Sequence, residues 1–136
     1  MKNSYLISTV LTAAIMFSAC SKNSSLYPVK PPPPDRKFRF QLYTQQDFSN
    51  DNHEIDFSIF IKTANGTIFD SALAPMLIKD IPDVNHKLII EKTIPSSYTS
   101  DLAAGFVYEI QNVGVAGFTD TSRAGNTFKI IDFNFR

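Results

Sequence analysis

The chain has 136 residues, the length of one ordinary domain, and its 43% hydrophobic content argues against a disordered polypeptide. Lys and Arg together number 13, as do Asp and Glu, so the formal charge is zero and nothing favours a nucleic-acid partner. A single cysteine excludes an intrachain disulfide and a zinc site built from several cysteines.

The first twenty residues are ordered like an export signal. Lys2 supplies one positive charge, and the stretch 5–17 that follows is mostly apolar. Its length matches the roughly 7–15 residues of a signal-peptide hydrophobic region and falls short of the about 20 that cross a bilayer. We therefore expect residues 1–19 to be a signal peptide that is removed.

The end of this segment, Phe17-Ser18-Ala19-Cys20, resembles the lipobox of bacterial lipoproteins. The resemblance implies that the Cys20 thiol carries a diacylglycerol, and two or more acyl chains anchor a protein stably to a membrane. Ser21 follows the cysteine and the stretch 21–25 contains no acid, a pattern similar to Gram-negative lipoproteins of the outer membrane. The expected location is therefore the cell envelope, on the periplasm-facing leaflet of the outer membrane.

Residues 20–36 are predicted to form a lipidated, proline-rich tether. They contain five of the eight prolines, and the run Pro31 to Pro34 permits neither a helix nor a central strand. Polyproline II is the expected conformation. The segment reads as a recognition peptide or as a spacer, and its position between anchor and domain favours the spacer.

Within residues 37–136, apolar and polar residues alternate in several stretches, as they do in half-buried β-strands. Phe38, Phe40 and Leu42 share one face of the first strand, and the segment 55–62 repeats the period of two. Asn65-Gly66 then predicts a tight hairpin turn, with a loop of two or four residues.

The second half of this region gives further strands. Leu88-Ile89-Ile90 is typical of a strand buried on both sides, or of one at a crossing between sheets. The stretch 104–113 is predicted to be a further strand, and 114–126 a long loop or an irregular hairpin. The stretch 127–136 is predicted to be the last strand, and its pattern does not decide which of its two faces points into the core. Six or seven strands without a helical period predict an all-β fold, namely a two-sheet antiparallel β-sandwich of immunoglobulin-like or transthyretin-like architecture. A small β-barrel is the alternative.

Catalytic motifs are missing from the sequence. It has no Gly-x-Ser-x-Gly, its one thiol is expected to carry lipid, and no glycine-rich phosphate loop is present. We therefore predict a protein that is not an enzyme and needs no cofactor. A hydrolase that uses a carboxylate pair such as Glu91 with Glu109 is the weakest reading.

One polar segment deserves weighing as a metal site. Asp47 to Asp56 is rich in side-chain oxygen, which calcium prefers, but it lacks the glycine of an EF-hand loop. A solvated connection between two strands is the favoured interpretation, and no metal is predicted.

Exposed aromatic side chains are the other candidates, because they stack on sugar rings or anchor partners. Five fall on outward or loop positions of the predicted strands: Tyr43, Phe60, Tyr98, Tyr108 and Phe118. Tyr98 and Phe118 are the predicted ligand-binding residues.

These features favour a membrane-anchored, non-enzymatic binding or structural module of the cell envelope. Its partner would be an envelope protein or a cell-wall component. The alternative is a carbohydrate-binding accessory lipoprotein of an outer-membrane uptake system.

Overall fold

Eight β-strands and one short 3₁₀ turn make up the secondary structure of residues 30–136, the part of the chain that this computed structural model describes. The predicted signal peptide, Cys20 and the tether up to residue 29 lie outside the described residues. Lys30 to Asp35 are exposed and belong to no strand. The strands are β1 (Arg36–Thr44), β2 (Glu54–Thr63), β3 (Gly66–Ala72), β4 (Met76–Leu77), β5 (Leu88–Ile94), β6 (Leu102–Ile110), β7 (Gly114–Ser122) and β8 (Phe128–Phe135), with the 3₁₀ turn at Ile78–Asp80.

The strands form two sheets that pack face to face, so the predicted β-sandwich is confirmed and the barrel alternative is wrong. One sheet has three strands in the order β5-β1-β8. The other has five, in the order β3-β2-β6-β7, with β4 pairing to β2. All pairs are antiparallel except β1 with β8, which the prediction of an antiparallel sandwich missed. The chain reaches β8 by crossing from the other sheet, and such a crossover permits parallel pairing.

The core lies between the two sheets, and alternate residues of the strands point into it. Phe38, Phe40 and Leu42 of β1 are buried as predicted, and the odd-numbered residues 55–61 of β2 face them from the other sheet. On β8 the inward set is Ile131, Phe133 and Phe135, which the sequence left undecided. Burying each such side chain contributes roughly 1.5–3 kcal/mol before entropy is counted.

The predicted tight hairpin forms, and its loop has two residues. Thr63 pairs with Gly66, so the loop consists of Ala64 and Asn65, and Gly66 begins the returning strand. The register shifts between Ile61 and Lys62, which leaves Ile68 without a partner as a β-bulge.

Two strand predictions are wrong. The glycine-rich stretch after residue 113 is not a loop, because β7 pairs with β6 along its whole length and cross-strand pairing overrides weak strand propensity. The run at β5 is not buried on both sides, since Ile89 is 53% exposed. In the described part of the chain no other strand packs on the outer face of the three-stranded sheet, so β5 alternates like the other strands.

Candidate functional site

A trough of about 400 Å³ lies on the outer face of the five-stranded sheet. This volume is within the about 300–1,000 Å³ typical of small-molecule sites. We call it the Phe60 trough, after the aromatic residue in its lining. The lining residues are Ser58, Phe60, Lys62, Thr67, Asp70, Phe106, Val107, Gly117 and Thr119.

Local sequence explains why Phe60 faces outward. Ile59 and Ile61 are fully buried, so the residue between them must point away from the core. Its lateral neighbours are Asp70 on β3 and Gly105 on β6. Because Gly105 has no side chain, the backbone of β6 is uncovered beside the Phe60 ring.

Close approach of β6 and β7 explains the glycines. A Cβ on Gly105 would overlap the carbonyl oxygen of Phe118, and one on Gly117 would lie 3.0 Å from the carbonyl oxygen of Phe106. The backbone packing therefore requires glycine at residue 105, whereas at residue 117 a side chain would be tight but could be relieved by a small shift. The open floor of the trough follows from that packing.

The polar groups of the trough are balanced in charge. The Lys62 ammonium lies 5.1 Å from the centroid of the Phe60 ring, and Asp70 is the cross-strand partner of Phe60. Neither charge has an ion-pair partner within residues 30–136. With the hydroxyls of Ser58, Thr67 and Thr119 they offer donors and acceptors but no net charge, which suits a neutral polar ligand better than a phosphate.

Among the described residues that line the trough, Asp70 is the one carboxylate, and none is a histidine or cysteine. General acid–base hydrolysis of a glycoside needs two carboxylates roughly 5–10 Å apart. The arrangement can therefore hold a ligand but has no carboxylate pair to cleave a glycosidic bond.

Of the two predicted ligand-binding residues, Tyr98 is 37% exposed in the loop after β5. The outward or loop position predicted for Phe118 is wrong, because this residue lies on β7 with its side chain directed inward. Its ring stacks on Phe133 between the sheets, with centroids 5.3 Å apart and planes inclined by 20°. The prediction failed because the segment was taken as a loop, whereas strand β7 turns this side chain inward. The structure does not bring Tyr98 and Phe118 into one site.

Tyr43 and Tyr108 are not free to bind a ligand either. Tyr43 is only 8% exposed, because the Lys87 ammonium lies 3.9 Å from its ring centroid and its hydroxyl donates to Asp132 at 3.1 Å. Tyr108 packs on Phe57 and Phe135 on the inner face. Phe60 is thus the predicted outward aromatic that lines the trough, and the alternation of β2 already placed Ser58 and Lys62 beside it. The glycines and Asp70 were missed, because only strand register brings them there.

The oxygen-rich loop before β2 borders an open hollow of about 640 Å³, but its carboxylates serve the loop itself. Asp51 accepts a hydrogen bond from the His53 backbone at 3.0 Å and lies 2.7 Å from His53 Nδ1, while Asp47 accepts from Ser49 at 2.9 Å. Backbone donors hold the pKa of both carboxyls below the usual value. Within residues 30–136 no three His, Cys, Asp or Glu side chains converge as metal ligands do. The geometry is that of a self-stabilised connection.

The carboxylate pair considered for hydrolysis is split by the fold. Glu91 lies on the outer face of the three-stranded sheet, where Arg39 donates to it at 2.6 and 2.8 Å. Glu109 lies on the outer face of the five-stranded sheet. Side chains on opposite outer faces of a sandwich cannot flank one glycosidic bond.

A third arrangement, which we call the Arg36 clamp, holds the start of β1. The buried Arg36 guanidinium donates to the carbonyl oxygens of Ser100 at 2.6 Å and Ser122 at 2.9 Å, and also to those of Tyr98 and Arg123. Burial lowers the pKa of Arg36, an effect that the nearby Asp101 charge opposes. Asp35 also accepts from the Ser96 backbone at 3.0 Å. The end of the proline-rich segment is therefore joined firmly to two loops of the sandwich.

No protein-family model, curated protein or solved structure matches this chain. Within residues 30–136, no helix has the length and apolar character needed to span a bilayer.

Proposed function

We propose that this chain is a lipid-anchored, non-enzymatic binding module of the cell envelope. The Phe60 trough carries the proposal, because it joins an aromatic ring, several hydroxyls, and a cation and an anion that form no ion pair within residues 30–136. The lipobox-like sequence ending at Cys20 supports the anchor, and the proline-rich segment supports a spacer.

The Arg36 clamp fits this organisation. A binding domain on a spacer transmits pulling and reorientation through the residue where the spacer enters the fold. Here that residue is fixed by four carbonyl acceptors, two in the loop before β6 and two at and just after the end of β7. Arg36 would therefore hold the first strand of the domain in place where the predicted tether ends.

Crosslinking in living cells tests the proposal. The full-length protein and its Cys20→Ala variant would be compared for incorporation of an alkyne-labelled fatty acid, for membrane fractionation and for crosslinked envelope partners. The wild type should carry label, fractionate with the outer membrane and capture a specific partner. The variant should lose all three. An unlabelled wild type in the soluble fraction would refute the anchor.

Carbohydrate binding is a second candidate, favoured by the Phe60 ring and its polar neighbours. The apolar face of a sugar stacks on an aromatic ring, and its hydroxyls both donate and accept hydrogen bonds. A glycan array probed with wild type, Phe60→Ala and Tyr98→Ala separates the two aromatic sites. Retention lost at least tenfold in Phe60→Ala and kept in Tyr98→Ala would support sugar binding in the trough. Retention of no glycan by the wild type would end this candidate.

A further inference from the structure

Four of the sheet edges in the described chain are formed by β5, β8, β3 and β7. An edge strand presents unpaired backbone N–H and C=O groups, and natural proteins protect such edges with charges, proline, bulges or short strands. The four edges differ sharply in this respect.

Three of them carry protection. The edge of β3 is bent by the bulge and ends before Pro75, and only the two-residue β4 continues it along β2. Strand β5 carries Glu91 and Lys92. Strand β8 carries Lys129 and Asp132.

Strand β7 has the fewest of these devices, since it lacks a bulge, a proline and a basic residue. It pairs with β6 over nine residues without a register shift, and it includes no proline, lysine or arginine. Its one charge, Asp120, is engaged by the Lys129 ammonium at 2.6 Å. Val115 is 66% exposed, and Val113 in the preceding turn is 71% exposed. No strand within residues 30–136 pairs with the other side of β7.

The rows of the outer face show what an added strand would meet. Asp56, Glu109 and Val115 lie side by side on β2, β6 and β7. If a further strand paired with β7, one of its residues would lie beside Val115 and continue this row. Neighbouring strands are about 4.8 Å apart, so a residue there is two strands from Glu109 and a lysine or arginine side chain can reach across Val115.

We propose that β7 accepts an extended segment of a second polypeptide as an additional strand, with a basic residue beside Val115. The free backbone groups of β7 supply main-chain hydrogen bonds, which give affinity in β-strand addition. The Glu109 carboxylate supplies the specificity, because a lysine or arginine side chain that reaches across Val115 meets it. This deepens the proposed function by naming the partner's chemistry, and it holds whether or not the Phe60 trough binds a ligand.

A second copy of this chain suits the edge less well. Strand β7 contains no basic residue that could stand beside Val115 of another copy. A homodimer is therefore an outcome that would overturn the proposal.

Site-specific photocrosslinking of the full-length protein in cells is the test. A photoreactive phenylalanine analogue would replace Val115 and, as a matched control, the exposed Ile89 on β5. The Val115 probe should give an adduct with a different polypeptide whose crosslinked peptide contains lysine or arginine, and the Ile89 probe should not. A synthetic copy of that peptide should protect the amides of β7, and not those of β5, from hydrogen exchange.

Charge reversal gives a second readout. Glu109→Lys should lower the Val115 adduct yield at least tenfold, while Glu91→Lys on the other sheet should leave it unchanged. Failure to form an adduct, an adduct of two copies, a crosslinked peptide without a basic residue, or insensitivity to Glu109→Lys would each overturn the proposal. Such failures are distinct from loss of the anchor, which is read by fatty-acid labelling of Cys20.

Discussion

Asp56 and Glu109 face each other directly on β2 and β6, both exposed on the outer surface of the five-stranded sheet. Directly opposed side chains on antiparallel strands have Cβ atoms about 4.5–5.5 Å apart, and like charges there are destabilising. The fold thus places two carboxylates side by side on an exposed surface.

Removing one of these charges should stabilise the domain. Glu109→Gln keeps the side-chain shape and is expected to raise the free energy of unfolding by about 0.5 kcal/mol, within the range of cross-strand pair effects. Urea unfolding of a fragment of residues 30–136 measures it. Glu91→Gln is the matched control, because Glu91 is paired with Arg39, and it should bring no gain. An unchanged stability in Glu109→Gln would show that the repulsion is screened.

Arg36 should matter far more than its exposed neighbour in sequence, Arg39. Arg36→Met leaves four buried or half-buried carbonyl groups without their donor, and hydrogen bonds from a charged group are worth about 1.5–3 kcal/mol each. We expect a loss of at least about 2 kcal/mol in the free energy of unfolding. Arg39→Met removes a surface ion pair and should cost about 1 kcal/mol at most. Similar losses in the two variants would contradict the clamp.

The sequence predicts the core of this fold well, for a physical reason. Where large apolar residues alternate strictly, as in β1 and β2, only one face can be buried, so both strand and orientation follow. The alternation of apolar and polar residues is a weaker signal for a strand where the side chains are small. Gly114 and Gly117 make β7 read as a loop, although its ladder with β6 is continuous.

The candidate site was harder to predict than the core. Phe60 was identified as an outward aromatic, yet the trough beside it depends on Gly105 and on Asp70, which only the register of β2 with its two neighbours brings close. Alternation within one strand does not fix which residue of another strand stands alongside. For the same reason, the sequence did not show that Glu109 and Val115 lie side by side on neighbouring strands.

Phe118 and Phe60 should separate stability from binding. Phe118 stacks on Phe133 inside the sandwich, so Phe118→Ala should lower the free energy of unfolding by about 2–4 kcal/mol. Phe60 lines the outer trough, and Phe60→Ala should cost about 1 kcal/mol or less. Urea unfolding, paired with ligand retention for each folded variant, checks both. A larger stability loss in Phe60→Ala than in Phe118→Ala would contradict the assigned orientations.

The Asp120–Lys129 pair should make part of the stability depend on pH. The Lys129 side chain donates to the Asp120 carboxylate at 2.6 Å and lowers its pKa, with further help from the Thr121 backbone. A carboxyl whose pKa is lower in the folded than in the unfolded protein stabilises the fold at any pH above its unfolded pKa, which is about 3.9. That contribution disappears as the pH falls through the folded pKa.

Asp120→Asn should therefore be less stable than the wild type at pH 7, and the difference should shrink below about pH 4. The expected difference is small, because the pair is partly exposed and screened by solvent. Urea unfolding of both proteins at several pH values measures it. A difference that is constant from pH 7 to the acid limit would show that the ionised carboxylate contributes nothing.

The last prediction concerns Gly105, which links the backbone of the sheet to the Phe60 trough. An alanine there would place its Cβ against the carbonyl oxygen of Phe118, so β6 and β7 would have to separate. Gly105→Ala should cost about 1–3 kcal/mol, as overpacking typically does. Gly117→Ala meets a carbonyl oxygen at 3.0 Å, which a small shift relieves, and it should cost less. Equal losses would mean that interstrand contact does not determine the glycine at residue 105. Weakened crosslinking at Val115 in Gly105→Ala alone would show that the spacing of these two strands also shapes the edge of β7.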